Sequence, residues 1–284
     1  MKIDLFTFLG PNSADYAEYL KYTGEKFLSG EYKINWKCVN SVGCNRMPKG
    51  FKVVSSSKKT EHPSMNHGVA LNTALKYIES DYVIFLDADI AFLYKGWDEV
   101  IVDELNRHHC FGGSFGNWLK KFRNFPSVYF FAFRSNILNE VKLDFTPKLE
   151  KKSKTGKIII CKRILTEDES SYFKMPPSKN FIRCDTGWEI PFLIKEKEFS
   201  FNSMPSYNMF HKNSKLPFED EKHKDLCLVH PKHMSEWHYG KELFASHRHA
   251  SRAFPLNSEL GNAWKRKVDL FIKNYKGKNN EITI

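Results

Sequence analysis

The sequence contains no apolar run near the roughly 20 residues that a membrane-crossing helix requires. Its opening, Met1-Lys2-Ile3-Asp4-Leu5-Phe6-Thr7-Phe8, has too short an apolar stretch and no small-residue cleavage site for a secretory signal. The expectation is a soluble, cytoplasmic protein without an integral membrane segment. Cysteine is sparse and scattered: the six (Cys38, Cys44, Cys110, Cys161, Cys184, Cys227) form no CxxC pair. That disfavours a disulfide scaffold or a thiolate zinc site and fits reduced thiols. Internal repeats are absent, as is any linker that would split the chain into independent domains. No recognised DNA-binding motif is present.

Negative charge is in the minority. Lys and Arg number 44 against 33 Asp and Glu, a formal net charge of +11. Such a field attracts polyanions or phosphorylated small molecules and says nothing about fold. The basic residues gather at Lys120-Lys121-Phe122-Arg123, between Lys148 and Arg163, and at Trp264-Lys265-Arg266-Lys267. A solvated surface accounts for each cluster as well as a binding face does. With 284 residues, 41% of them hydrophobic and 15% aromatic, the chain can bury a sizeable core.

What is present begins with alternation of strand and helix. Ile3–Leu9 reads as a strand. Ser13 then caps a helix whose positions Tyr16, Tyr19, Leu20, Tyr22 and Phe27 fit a 3.6-residue period. Lys33–Val39 and Phe51–Val54 are further strands, separated by the loop residues Gly43, Asn45, Pro48 and Gly50. A helix over Ser64–Glu79, with Val69, Leu71, Ala74, Leu75 and Ile78 as its buried stripe, leads to the strand Tyr82–Leu86. Short links between these elements predict an open, mostly parallel α/β sheet flanked by helices, whose ligands bind beyond the carboxyl ends of the strands.

Further along, Trp97–Arg107 reads as a helix and Ser127–Phe133 as a buried strand. Residues 144–180 are loop-like around a short strand at Lys157–Cys161. A helix is expected over Asp185–Ile194, irregular chain over 200–235, and an amphipathic helix over 255–275.

The stretch YVIFLDADIAFL, residues 82–93, places Asp87 and Asp89 inside a run that otherwise belongs in a core. An ionised carboxylate is expensive to bury unless it is paired or binds a metal. At the carboxyl end of a sheet strand, two carboxylates in a turn can converge on one Mg²⁺ or Mn²⁺.

With the preceding helix, NHGVALNTALKYIESDYVIFLDADIAFL (residues 66–93) resembles the nucleotide-sugar-binding half of the GT-A glycosyltransferases, the group with an Asp-X-Asp metal motif. The resemblance covers residues 1–115, leaving 116–284 as the acceptor-binding and catalytic half of a single GT-A-like (Rossmann-like) domain with a loop-rich C-terminal part. It implies Mn²⁺ or Mg²⁺ on Asp87 and Asp89, and a nucleoside-diphosphate sugar, expected to be a UDP-sugar, as donor. It places Phe8, His67, Gly68, Asn72, Asp87 and Arg252 on the donor side. One departure concerns the base: many members carry an acidic residue after the second strand, whereas CVNSVGCNR here has no carboxylate until Glu61.

Two later stretches supply candidates for the chemistry. Asp185 in RCDTGWEI stands where inverting GT-A enzymes place their catalytic Asp or Glu, with Glu189 a second carboxylate and Trp188 able to stack on a sugar. Capping a helix is the structural alternative for Asp185, and Glu167-Asp168 is a competing acidic pair. In FASHRHASR, His247 and His249 resemble the C-terminal histidine that many GT-A enzymes add as a third metal ligand from a flexible segment. His249 is slightly favoured, and Arg252 is set to neutralise phosphate. The implied activity is metal-dependent sugar transfer to a hydroxyl acceptor. That acceptor is a glycan or, given the basic charge, a hydroxymethylated pyrimidine in DNA, as for a viral or phage-type enzyme in a host cytoplasm. Nucleotidyl transfer onto a sugar phosphate and a non-catalytic nucleotide-binding module are the alternatives; the first normally shows a Gly-rich basic loop that FLGPNSADYAEY lacks.

Overall fold

A computed structural model describes residues 1–41, 43–44, 46–57, 60, 62–114, 124–150, 159–173, 181–208, 234–249 and 253–275. The first half holds β1 (Lys2–Leu9), α1 (Ser13–Lys26), β2 (Lys33–Asn40), β3 (Lys52–Ser56), α2 (Pro63–Ala74), β4 (Tyr82–Asp87), β5 (Ile90–Phe92), α3 (Trp97–Arg107) and β6 (Cys110–Ser114). Then follow β7 (Pro126–Arg134), β8 (Leu149–Glu150), β9 (Ile159–Ile160), β10 (Lys162–Ile164), α4 (Glu167–Tyr172), β11 (Phe181–Arg183) and α5 (Ile190–Glu196). The chain continues through β12 (Phe201–Met204), β13 (Ser206–Asn208), β14 (Met234–Tyr239), β15 (Glu242–Arg248) and α6 (Glu259–Asn274).

Strand β1 alternates between two cores. Ile3, Leu5 and Leu9 enter one apolar cluster, and Phe6 and Phe8 the other. β4 does the same, with Tyr82, Ile84 and Leu86 on one side and Val83 and Phe85 on the other. Strands covered on both faces are continuous apolar runs in sequence, which is why YVIFL reads as core throughout. Residues of α1, α3 and α6 pack into the first cluster, and residues of α2 and α5 into the second.

The seven-stranded sheet runs β12-β6-β7-β4-β1-β2-β3. β4, β1, β2 and β3 are mutually parallel and β12 is parallel to β6, while β7 is antiparallel to both neighbours. The mostly parallel α/β sheet expected from the alternation is therefore present, with one reversed strand that buried apolar sequence does not distinguish. A second, antiparallel sheet of order β13-β14-β15-β5 joins the first through the two-residue link between β4 and β5.

Several local expectations change. Ser13 is the first residue of α1 rather than its cap; Asn12, in the left-handed region at φ 63°, takes that position, and the Ser13 hydroxyl accepts from Gly10 N–H at 3.1 Å. Tyr22 is half-exposed. The helix expected from Asp185 begins at Ile190, because residues 185–189 form turns first, with Trp188 N–H donating to Asp185 O at 2.9 Å. Residues 167–172, expected as loop, form α4 under a capping box between Thr166 and Glu169. The His247 segment is a paired, buried strand rather than a flexible one.

Candidate functional site

β4 delivers Asp87 to the carboxyl end of the sheet, opposite Phe8 in β1. The chain turns through Ala88 and Asp89 and immediately enters the second sheet as β5. There β15 locks it from the other side: His247 pairs with Ile90, and Arg248 N–H donates to Asp89 O at 2.8 Å. The motif is thus fixed by hydrogen-bonded backbone before and after it, which holds two like charges close together.

The side chains converge accordingly. His247 Nε2 lies 3.1 Å from Asp89 Oδ1 and 3.7 Å from Asp87 Oδ2, and His67 Nε2 lies 3.2 Å from Asp87 Oδ1. One ligand atom each from Asp87, Asp89 and His247 falls within 4.8 Å of the others. Asp89 and His247 are buried, whereas the Asp87 side chain is 21% exposed and marks the open side. Two carboxylate oxygens and an imidazole nitrogen suit a hard or borderline divalent cation such as Mn²⁺ or Mg²⁺.

The surroundings register the negative charge. Burial raises the Tyr129 hydroxyl well above its ordinary range, and Asp185, Asp87 and Asp89 push it further. Tyr16 is raised in the same way, by burial and then by Asp89, with Arg248 opposing. Burial lowers the Arg248 guanidinium, while Tyr16 and Asp89 work to keep its charge.

The other candidates fall into distinct places. His249 stands beside the triad, its ring 3.8 Å from that of His247, and its Nε2 contacts the Ser235 hydroxyl. The favoured histidine is thus the neighbour, and His247 is the one facing both aspartates. Phe8 is a buried core residue whose ring meets that of His67 at 5.6 Å. Asn72 is bonded to the 144–146 segment: its amide donates to Asp144 Oδ1 at 2.7 Å and Thr146 Oγ1 at 3.1 Å, and its oxygen accepts from Phe145 N–H at 2.9 Å. Gly68 belongs to the same junction, since a Cβ there would lie 2.7 Å from Phe145 O.

Asp185 Oδ1 accepts from Thr186 N–H at 2.8 Å, so the carboxylate caps a turn, not a helix, while its charge reaches Tyr129 beside the triad. Glu189 precedes α5, and its carbonyl accepts from Phe192 and Leu193 N–H; among the described residues it is not part of the metal-competent group. Trp188 is partly buried and packs near Phe192. Glu167 and Asp168 sit in the first turn of α4, where the helix dipole favours acids. Arg252, His230, His233, Glu61 and the basic cluster at 120–123 lie outside the described residues.

Sequence reasoning missed Tyr129 and Trp237. The Tyr129 ring lies 5.2 Å from His247 and 5.6 Å from His249, and the Trp237 ring is stacked 5.6 Å from His247. In SVYFFAF and MSEWHY neither aromatic differs from a core residue, so the sequence carries no signal for them.

The mostly parallel α/β sheet, with an Asp-X-Asp pair and a histidine at its carboxyl edge, is similar to the arrangement expected from the resemblance to GT-A glycosyltransferases. The family model for glycosyl transferase family 2 matches residues 55–169, from β3 through α2, the Asp87–Asp89 motif and β7 into α4. No curated protein matches it in sequence. Among solved structures, a mannosyltransferase from Pyrobaculum calidifontis in complex with GDP-Man and Mn²⁺ is similar at 14% identity and TM-score 0.37, over 49% of this chain and 46% of that one. S. aureus TarS is similar at 20% identity and TM-score 0.35, over 51% of this chain and 30% of that one. The match thus spans less than half of either neighbour's length, and likeness this slight carries neither donor nor acceptor across.

Proposed function

We propose that the protein transfers a sugar from a nucleoside-diphosphate sugar to a hydroxyl acceptor, with Asp87, Asp89 and His247 holding a Mn²⁺ or Mg²⁺ ion. The observation that carries this reading is the convergence of those three side chains at the carboxyl edge of the parallel sheet. When bound, the cation offsets the charge of the departing diphosphate. The chain's own residues supply the rest. β5 and β15 fix the spacing of the two carboxylates, and His67 lies beside the more exposed one. Asp185, whose charge reaches Tyr129, is the base we assign to the acceptor hydroxyl, which makes the reaction inverting.

A UDP-sugar is the donor to try first. For the acceptor, the +11 charge favours a polyanion, and DNA with hydroxymethylated pyrimidines is the concrete case beside a glycan. The deciding experiment incubates the protein with a panel of nucleotide sugars and Mn²⁺ and identifies the released product by mass spectrometry. Nucleoside diphosphate, lost in Asp89→Ala, is the expected result. With pyrophosphate added, formation of nucleoside triphosphate and sugar phosphate would indicate nucleotidyl transfer instead, and turnover unchanged by Asp89→Ala would refute the metal assignment. Filter binding to duplex DNA across a salt series then tests the polyanion; no binding at low salt removes it.

A further inference from the structure

His247 is separated by 158 residues from Asp89, which it faces, and an imidazole on a strand retains freedom about two side-chain torsions. Its ring is enclosed by those of His249, Tyr129 and Trp237, besides its contact with Asp89. Trp237 lies near-parallel to it, 19° between planes, and Tyr129 meets it edge-on at 61°. In the β14–β15 pair Ser235 is opposite His247 and Trp237 opposite Ala245, so the indole is the diagonal neighbour of the imidazole.

The indole is itself immobilised. Trp237 is 1% exposed, its Nε1–H donates to Ser114 O at 3.0 Å, and Phe130 packs against it edge-on at 5.6 Å. Its slot exists because β6 has glycine at position 113. A Cβ there would lie 2.3 Å from Cε2 and 2.4 Å from Nε1 of the indole, closer than real contacts allow. Neither residue belongs to the metal-competent group, yet the indole lies near-parallel to the ring whose Nε2 faces Asp87 and Asp89.

We propose that Trp237, seated in the slot left by Gly113 and pinned to the Ser114 carbonyl, is a positioning residue that orients His247 for metal binding. This rests on the reading that Asp87, Asp89 and His247 hold a divalent cation. Partners that orient a ligand typically contribute about 10- to 100-fold to metal affinity. β6, an element of the large sheet, thereby sets a ligand carried by the small one, and the two sheets become one site.

The test measures Mn²⁺ affinity directly, by electron paramagnetic resonance of the free ion or by calorimetry, without donor or acceptor. Trp237→Phe keeps an aromatic ring but loses the Nε1–H anchor, and Gly113→Ala displaces the indole from the other side. Both are expected to weaken Mn²⁺ binding at least tenfold while the protein remains folded by circular dichroism. Phe244→Leu, which loosens the same core beyond Phe130, is the control: it should lower the melting temperature and leave Mn²⁺ affinity within twofold. If folded Trp237→Phe, or folded Gly113→Ala should the first not fold, binds Mn²⁺ within twofold of the wild type, the positioning role is refuted and the metal site stands. If the wild type binds no Mn²⁺, the metal reading falls and this proposal falls with it.

Discussion

Both ends of the central strands bury carboxylates, and the partners differ. At the amino end of β1, Asp4 is fully buried and meets Lys37 Nζ at 3.1 Å, the Asn35 amide at 2.9 Å, and the backbone N–H groups of Glu79 and Ser80 at 2.6 and 3.1 Å. Burial works to raise its pKa, but the hydrogen bonds from Glu79, Asn35 and Lys37, with the Lys37 charge, overcome it and the net shift is downward. At the carboxyl edge, Asp87 and Asp89 face two imidazoles, His67 and His247. An ammonium and amide N–H groups complete a carboxylate; imidazoles are themselves cation ligands. The first cluster holds the sheet together, and the second gathers donors around a point.

Mutation separates the two carboxylate clusters. The largest effect is expected for Asp89→Ala: donor turnover should fall about 10⁴-fold, with the melting temperature little changed, as assayed by nucleoside-diphosphate release and calorimetry. Asp4→Ala should do the reverse, costing about 3–5 kcal/mol in urea unfolding because the Glu79 and Ser80 N–H groups and the Asn35 amide lose their acceptor and buried Lys37 keeps only Glu79 as a carboxylate partner, while the folded fraction keeps its turnover. The same group gives a pH signature. Its folded pKa lies below the ordinary 3.8, so its contribution is complete above that value and is lost as pH falls through the lower one. Acid titration of stability should therefore be shallower below about pH 4 in Asp4→Asn than in the wild type.

Smaller effects sharpen the site's edge. His247→Ala should weaken Mn²⁺ binding about 100-fold and His249→Ala less than about 10-fold, by analogy with ligand and supporting partner; calorimetry separates the two, and equal losses would put His249 on the ion. Asn72→Ala should cost about 1–3 kcal/mol of stability by leaving Phe145 N–H unsatisfied, with donor KM unchanged. A large rise in KM would return Asn72 to the nucleotide.

Much of the molecule is legible in sequence where the cause is local. The strands β1, β2 and β4 and the helices α3 and α6 carry their periodicity in their own residues, and Asp87 and Asp89 stand out because charge interrupts an apolar run. Asn72 is ambiguous because an amide on a helix announces that it will bond something, not whether the partner is a ligand or the 144–146 loop. His247 and His249 are indistinguishable in HRH, since one residue of register decides which ring faces Asp89 and which meets Ser235.

The parallel α/β core and the position of the paired aspartates are written in the sequence, because apolar alternation and buried charge act over a few residues. Tertiary packing sets the reversed direction of β7, the approach of His247 to the aspartates, and the slot at Gly113 for the indole that stacks on His247. Those outcomes depend on strand pairing and steric contact between segments distant in the chain, where no local propensity records the partner.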